Sequence, residues 1–330
     1  MIFKCRNCGG NVVYSPEKHK MFCPYCESEE SEELQRSTSG DMHICPDCGG
    51  EVPLKAHTAA TQCPYCGNYL ILDARVEGEY LPGKMIPFKL GKETCKKTLR
   101  DKFEKSVFAP TDFLSEVRLN SMQGTYVPFW FYDYDVNVDY QAEGTKVRSW
   151  TSGNMRYTET SYYDVRRNVD ISFRDIPVDA SVDMPDDVMD LMEPYDYKQL
   201  IAFEPRYMSG FYAEKYNMGA NQIENRAKRK MMEDTGSLTK AQVSGYSSVR
   251  QVRNDVRVQD ARQTYGLLPV WKYLYRYKGQ EYPFYVNGQT GKIVGTVPIS
   301  AGKVWVYTGT LWACLTAVLA GVVMWMELLR

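Results

Sequence analysis

The chain has 330 residues, and its 40 Lys and Arg almost balance its 41 Asp and Glu. A near-neutral chain is not built mainly to neutralise the phosphates of a nucleic acid. With 44% hydrophobic and 25% charged residues, wholesale disorder is excluded as well. All three histidines (His19, His43 and His57) lie in the first 66 residues. Imidazole general bases and histidine-ligated metals are therefore excluded from the rest of the chain.

The first 66 residues contain a cysteine repeat. Two Cys-x2-Cys pairs separated by 14 residues recur at an offset of 40, so that CRNCGGNV…CPYC matches CPDCGGEV…CPYC. Each pair lets two thiolates reach one ion from a tight turn, and two pairs complete a tetrahedral site. No apolar signal segment precedes the repeat, which counts against disulfides, and four matched copies count against a redox motif. We therefore predict two structural zinc ribbons, their Zn²⁺ ions held by Cys5, Cys8, Cys23, Cys26 and by Cys45, Cys48, Cys63, Cys66.

A glycine follows the second cysteine in three of the four pairs: Gly9, Gly49 and Gly67. Glycine suits this place because it adopts a positive φ without strain. The remaining pair has Glu27 there. His19 and His57 fall within the ribbon loops, and we expect them at the surface rather than on a metal.

The ribbons are expected at residues 1–27 and 43–75, joined by an acidic linker at 28–42 that reads as a flexible, solvated tether. Residues 1–75 hold seven Lys and Arg against ten Asp and Glu. Each zinc ion with four thiolates adds a charge of about −2. This charge favours a protein-docking module over one that reads DNA.

Residues 76–300 are predicted to form an α+β domain, mixed but mainly antiparallel, on the cytoplasmic side. Apolar residues at helical spacing predict helices, and runs of alternating aromatic, β-branched and polar residues predict strands. Gly236 is expected to cap the third helix. The expected helices are at 92–106, 186–193 and 217–234; the expected strands are at 125–140, in a long hairpin over 155–178, and in a meander from 267 to 300.

Enzyme motifs are missing from this domain. The segment Gly78-Glu-Tyr-Leu-Pro-Gly83-Lys84 fits the spacing of a phosphate-binding loop. However, Met85 replaces the Ser or Thr that holds Mg²⁺, and Pro87 prevents a helix from starting there. Asp186, Asp187 and Asp190 are expected to occupy a helix start rather than a catalytic cluster, and Cys95 is expected to be a buried thiol. The chain is predicted not to be an enzyme.

The densest basic run is Arg226-x-Lys-Arg-Lys230, on a helix whose other face is apolar. Two interpretations stay open at this stage. The run is either a solvated face above a core stripe or a surface that contacts anionic lipid headgroups.

Residues 303–327 are predicted to form a transmembrane helix, because 23 residues from Val304 to Met326 carry no charge. They span about 34 Å, enough to cross a hydrocarbon core of about 30 Å. Only four residues follow, so the chain is expected to be tail-anchored and single-pass in the cell membrane, with its N-terminal bulk cytoplasmic. One stripe of small side chains recurs every four residues and could support self-association: Gly309, Ala313, Ala317 and Gly321.

The combination resembles a family of bacterial membrane-anchored proteins of the transcription-factor-IIB-type zinc ribbon class, often labelled primosomal helicase-like. The ribbons, Ile86-Pro-Phe-Lys, Tyr126-Val-Pro-Phe-Trp-Phe-Tyr-Asp133, Leu268-Pro-Val-Trp271, Asn287-Gly-Gln-Thr-Gly291-Lys and the terminal helix carry the resemblance. The resemblance implies an envelope-stress role beside phage-shock protein A and flotillin-like (SPFH) proteins, and no catalytic residues.

Two functions follow as expectations. The first is a membrane-tethered zinc-ribbon adaptor that docks cytosolic proteins. The alternative is a nucleic-acid-associated protein held at the membrane by the same helix.

Overall fold

The computed structural model describes residues 1–29, 31–34 and 42–329. The cysteine-rich part, which we call the cysteine head (the described residues up to 72), is built from short strands. These are β1 (Ile2–Cys5), β2 (Val13–Ser15), β3 (Lys20–Phe22), β4 (Ser31–Leu34), β5 (Met42–Ile44), β6 (Glu51–Pro53), β7 (Thr58–Gln62) and β8 (Tyr69–Ile71).

The rest of the chain mixes long strands with helices. In chain order these are β9 (Lys84–Met85), α1 (Lys92–Phe103), α2 (Glu116–Leu119), β10 (Gln123–Ser152), β11 (Met155–Asp179), α3 (Asp186–Met192), β12 (Ile201–Ala202), β13 (Tyr212–Glu214), α4 (Ala220–Ala241), β14 (Ser248–Tyr277), β15 (Gln280–Asn287), β16 (Ile293–Gly295) and α5 (Ala301–Leu328). The expected mixed sheet with helices is confirmed.

One ten-stranded sheet organises the molecule, with the central order β12-β9-β14-β10-β13-β7-β8. Its β10–β13 and β9–β14 pairs are parallel, and the other pairs are antiparallel. Strands β7 and β8 belong to the second cysteine unit, and β7 pairs with β13 of the following domain. The boundary expected at residue 75 is therefore not a structural boundary, because backbone hydrogen bonds of the sheet cross it.

Part of the acidic linker forms a strand. Residues 31–34 form β4, which pairs in antiparallel register with β1 and sets Glu32 opposite Lys4. Opposite charges at directly opposed positions favour such a pairing, so the expectation of a flexible linker was wrong for these four residues. Residues 30 and 35–41 of the linker lie outside the described residues.

The two proline-containing aromatic motifs form neighbouring strands at the centre of the sheet. Tyr126 lies opposite Pro269, and Val127 lies opposite Leu268. Around them Phe88 stacks on Phe211 with ring centroids 4.1 Å apart. Both motifs are therefore core strands, and their tryptophans reach polar partners: the indole N–H groups of Trp130 and Trp271 donate to Met218 O and Leu90 O, each at 2.9 Å.

Three strands, β10, β11 and β14, extend well past the rest of the ten-stranded sheet. Their extensions form a three-stranded sheet that we call the arm (residues 134–173 and 248–263). Helix α4 covers one face of the arm base, where Ile223, Ala227 and Met231 pack on Val138 and Val165. The helix does not stop near Gly236 as expected, because the buried spacing continues through Thr235 and Thr239 to its end at Ala241.

Helix α5 begins near the end of β14 that lies opposite the arm. It follows Ser300, whose N–H donates to Phe108 O at 2.8 Å, and the Tyr307 ring lies edge-on to the Phe108 ring at 5.4 Å. The same loop reaches the end of β14, where the Tyr275 hydroxyl donates to Asp112. From Ala301 to Met326 the helix is long and apolar enough to cross a membrane, and its most apolar stretch is not buried against the rest of the protein.

Candidate metal centres

The structure brings the eight cysteines into two groups of four, with the sulfur atoms of each group within 4.8 Å of one another. In the first group Cys5 and Cys26 are 3.5 Å apart and Cys8 and Cys23 are 3.6 Å apart, measured between Sγ atoms. In the second group the equivalent separations are 3.7 and 3.8 Å. A disulfide would bring two sulfurs to about 2 Å, so these are clusters of four thiols and not bonded pairs.

The sulfur separations fit a tetrahedral metal ion. Four Zn–S bonds of about 2.3 Å at tetrahedral angles place neighbouring sulfurs about 3.8 Å apart. Four thiolates in this geometry suit zinc or iron, whereas Mg²⁺ and Ca²⁺ require oxygen ligands. Both groups could therefore hold a metal ion with no change in the fold, and with all four positions filled by the chain.

Backbone hydrogen bonds shape the four turns that carry the sulfurs. In each turn the residue after the second cysteine donates its N–H to the carbonyl of the first cysteine; in the first turn Gly9 donates to Cys5 O at 2.8 Å. This residue has a positive φ in all four turns: 70° at Gly9, 74° at Gly49, 75° at Gly67 and 62° at Glu27. Glu27 therefore adopts a left-handed conformation that costs a residue with a Cβ about 1–2 kcal/mol.

The second glycine of each CxxCGG motif is required by an aromatic ring. A Cβ on Gly10 would lie 2.7 Å from a ring carbon of Tyr25, and one on Gly50 would lie 2.5 Å from the same atom of Tyr65. Both tyrosine rings remain largely exposed, at 71% and 68%. The repeat thus presents the same tyrosine beside the same turn at each site.

The four thiols of a group affect one another's ionisation. The backbone N–H of Cys8 lowers the pKa of Cys5 to about 6. The N–H of Gly10 acts in the same direction on Cys8, but the neighbouring sulfurs of Cys26 and Cys23 raise the pKa of Cys8 to about 12. Four thiolates this close repel one another unless a cation lies among them, and a divalent ion would remove that repulsion.

The two sites are integrated into the molecule in different ways. Cys5 and Cys23 of the first site belong to the main core, and Tyr14 N donates to Ser209 O at 2.9 Å. Cys45 and Cys63 of the second site belong to a small separate core. Ile2 of the first unit also belongs to that small core, so the units pack on each other.

The other residues singled out from the sequence take structural places. Neither His19 nor His57 joins a four-sulfur group among the described residues. Cys95 is fully buried, and burial raises the pKa of its thiol to about 12, whereas Cys314 lies exposed on α5. The segment before Lys84 forms a 3-10 turn and then β9, with no helix to receive a phosphate.

The basic run on α4 faces the protein's own carboxylates. The Arg226 guanidinium contacts Asp179 at 2.7 Å and Asp186 at 2.9 Å. Lys230 Nζ contacts Asp190 at 2.8 Å and Glu193 at 2.7 Å, and Lys228 pairs with Glu224. Arg226 and Lys230 therefore neutralise the buried Asp179 and the start of α3, which counts against a lipid-binding surface at these two residues.

Sequence reasoning missed the apolar side chains at the end of the arm, which we call the arm tip (residues 143–163). Trp150 stacks on Tyr157 with ring centroids 5.7 Å apart, and the Arg148 guanidinium lies over the Trp150 ring. Met155, Tyr157 and Trp150 are 60%, 41% and 43% exposed. Their alternation on either side of the Gly153 turn was the available signal.

The fold and the sites define a chain with two four-cysteine groups that could hold metal ions, a β-rich body with a long arm, and one apolar C-terminal helix. Over 311 residues, 92% of this chain and 91% of the relative, it is 39% identical to the protein named "Uncharacterized protein YdjG" from Bacillus subtilis (strain 168). The chain belongs to the YdjG family. No protein family model matches the chain. No solved structure matches it.

Proposed function

We propose that the chain is a non-enzymatic, membrane-tethered zinc-ribbon adaptor that docks cytosolic partner proteins at the inner face of the cell membrane. One observation carries this proposal: the apolar helix and the arm tip lie at opposite ends of β14. The 27 residue-to-residue steps from Ser248 to Tyr275 span about 90 Å of strand. A chain anchored by α5 would therefore carry its exposed arm tip about 90 Å of strand away from the anchor.

Zinc is the metal we assign to both sites. The sulfur separations match tetrahedral Zn–S geometry, and four thiolates leave no open position for catalysis. The bound ions would then act as structural elements of a docking platform. Tyr25 and Tyr65, which are exposed and occupy equivalent positions in the two repeats, are the side chains that this platform offers to a partner. Aromatic residues are enriched at protein interfaces.

The class of partner comes from the family resemblance and not from the geometry. The motifs around Trp130 and Trp271 resemble those of ribbon proteins associated with phage-shock protein A and SPFH-type proteins. We therefore propose an envelope-stress role with partners of these two types. A nucleic-acid-associated role is the alternative, and the excess of Asp and Glu over Lys and Arg in residues 1–75 counts against it.

Reconstitution tests the proposal. Vesicles carrying the full chain should recruit a purified phage-shock protein A or SPFH-type protein, and vesicles carrying only residues 301–330 should not. Replacing both Tyr25 and Tyr65 by alanine should weaken recruitment at least about tenfold, as for interface anchor residues. The matched control is Tyr162→Ala, which removes a tyrosine of similar exposure from the arm tip; a loss of recruitment in this variant alone would contradict docking at Tyr25 and Tyr65. Recruitment of single-stranded DNA instead, with an affinity that falls steeply with salt, would favour the alternative.

Anchoring is tested separately. The full chain should stay in the membrane pellet after alkaline carbonate extraction, and residues 1–300 should be released. Release of the full chain would contradict a membrane-spanning α5.

A further inference from the structure

Strand β11 has a long free edge. Among the described residues, β10 is the only strand that pairs with it, from Met155 to Asp179. No proline interrupts the edge before Pro177. An open edge of this length is a template for a further strand, and proteins normally block such edges.

Side chains on β11 alternate between two faces, so any added strand must bring side chains together face by face. A second copy of β11, antiparallel and centred on Tyr163, pairs residues whose numbers add to 326. Arg156 then lies opposite Asp170 of the other copy, and Glu159 lies opposite Arg167. By symmetry each contact occurs twice, which makes four opposite-charge pairs along one interface and no like-charge pair.

The apolar side chains match in the same register. Met155 lies opposite Ile171, Tyr157 opposite Val169, and Tyr163 opposite itself. Met155 and Tyr157 are exposed in the single chain, whereas Ile171 packs at the edge of the core beneath α4. The pairing would therefore place the bare tip of one copy beside the helix-covered base of the other.

Neighbouring registers lack this match. Shifting the centre to Tyr162 removes every ion pair, and shifting it to Asp164 sets that carboxylate opposite its own copy. Pairings whose residue numbers add to an odd value set residues of opposite faces against each other and are excluded by the pleat. Complementary charge thus selects one register.

We propose that two copies of this chain associate through their β11 edges, antiparallel and centred on Tyr163, to form a continuous six-stranded arm. Each half contributes three strands. Backbone hydrogen bonds supply the attraction, and the charged pairs set the register. This inference does not depend on the proposed adaptor function, since it concerns only the arm.

The test measures the mass of the full chain in detergent micelles by light scattering, over a range of concentrations. The wild-type chain should be a dimer. Arg167→Glu with Asp170→Arg preserves the net charge but turns all four cross-copy pairs into like-charge pairs. These two positions are chosen because their β10 neighbours, Tyr140 and Asn137, are uncharged. The dissociation constant should rise at least about tenfold, and adding Arg156→Asp with Glu159→Arg should restore the dimer.

Two controls separate this interface from others. Exchanging Arg250 and Glu143, which contact each other at 2.7 Å within one copy, should leave the dimer intact. The double substitution Gly309→Ile with Gly321→Ile, which blocks close packing of α5, should leave the dimer intact as well.

A disulfide should also form between two copies at Tyr163→Cys in a Cys314→Ser chain, because opposed residues lie about 5 Å apart. It should not form at Thr158→Cys, whose two copies lie about 33 Å apart along the strand.

Three results would overturn the proposal: a monomeric wild-type chain, a dimer that the Arg167 and Asp170 exchange leaves unchanged, or a dimer lost only with the glycine substitutions in α5. Failure of the four-residue variant to restore a dimer lost in the two-residue variant would also count against the register.

Discussion

The cysteine head and the base of the arm are held together by different interactions. The head has short strands, its second site lies in a small core of its own, and its side chains form two groups of four sulfurs. The arm base has α4 packed on β10 and β11, with Arg226 reaching the buried Asp179. The sulfur groups of the head join residues at most 21 positions apart, whereas the ion pair of the arm base joins residues 47 positions apart. A site built from residues close in sequence can be recognised in the sequence, whereas an ion pair between distant residues is seen only in the fold.

Removing a metal ligand should have the largest effect, and only in the head. Cys5→Ser and Cys45→Ser should each lower the metal content from two ions per chain to one, because three thiolates hold zinc much more weakly than four. Metal binding at such sites contributes on the order of 10 kcal/mol to folding. Metal analysis of the purified chain measures this. Cys314→Ser is the control and should keep both ions; two ions retained in Cys5→Ser would refute the assignment.

Removing the cation of the arm base should have the next largest effect. Arg226→Ala leaves Asp179 buried without its partner at 2.7 Å, and we expect a loss of about 3–5 kcal/mol in the free energy of unfolding. Denaturant unfolding followed by tryptophan fluorescence measures it. Lys228→Ala, which removes only a half-exposed pair with Glu224, should cost less than about 1 kcal/mol. Equal losses in the two variants would contradict a buried ion pair.

The same carboxylate predicts a dependence on pH. Burial raises the pKa of Asp179 from its ordinary 3.8 to about 6, although Arg226 acts to lower it. The folded chain therefore binds this proton more tightly than the unfolded chain does. The stabilisation is fully present below about pH 4 and is lost as the pH rises towards 6, by up to about 3 kcal/mol.

Asp179→Asn removes this titration. The difference in unfolding free energy between wild type and Asp179→Asn should therefore change between pH 4 and 7, with wild type losing stability relative to the variant as the pH rises. Because both chains keep the same cysteines, the pH dependence of metal binding cancels. A difference independent of pH would show that Asp179 does not titrate in this range.

The smallest effect compares the two cysteine sites directly. Glu27 and Gly67 occupy equivalent turn positions, both with positive φ. Glu27→Gly should stabilise the first site by about 1 kcal/mol, and Gly67→Glu should destabilise the second by a similar amount. Competition with a zinc chelator would report both changes as shifts in metal affinity. Shifts of the same sign would contradict the equivalence of the turns.

The sequence indicated the cysteine groups, the apolar terminal helix and most elements of the body. The spacing of Cys5, Cys8, Cys23 and Cys26 is a local pattern, and one tight turn carries each pair of ligands. The expected helix at 92–106 is present as α1. Residues 155–178, expected to form a hairpin by themselves, are instead the single strand β11, which pairs with a β10 much longer than expected. Errors were made where residues distant in sequence meet: the linker at 31–34, the end of α4, and the boundary at residue 75.

The sequence alone determined the two sites and the uncharged segment that forms α5, because thiolate spacing and the length of an apolar run are local properties. Only the tertiary structure decided where the basic run of α4 points, since Asp179 and Asp190 approach Arg226 and Lys230 only after β11 and α3 have folded. It also decided which strand edge stays free, because the pairing of β10 on both sides leaves the outer edge of β11 unpaired among the described strands. Charge and hydropathy can be read from the sequence. Whether a charge is neutralised or an apolar side chain is exposed depends on what packs against that residue in the fold.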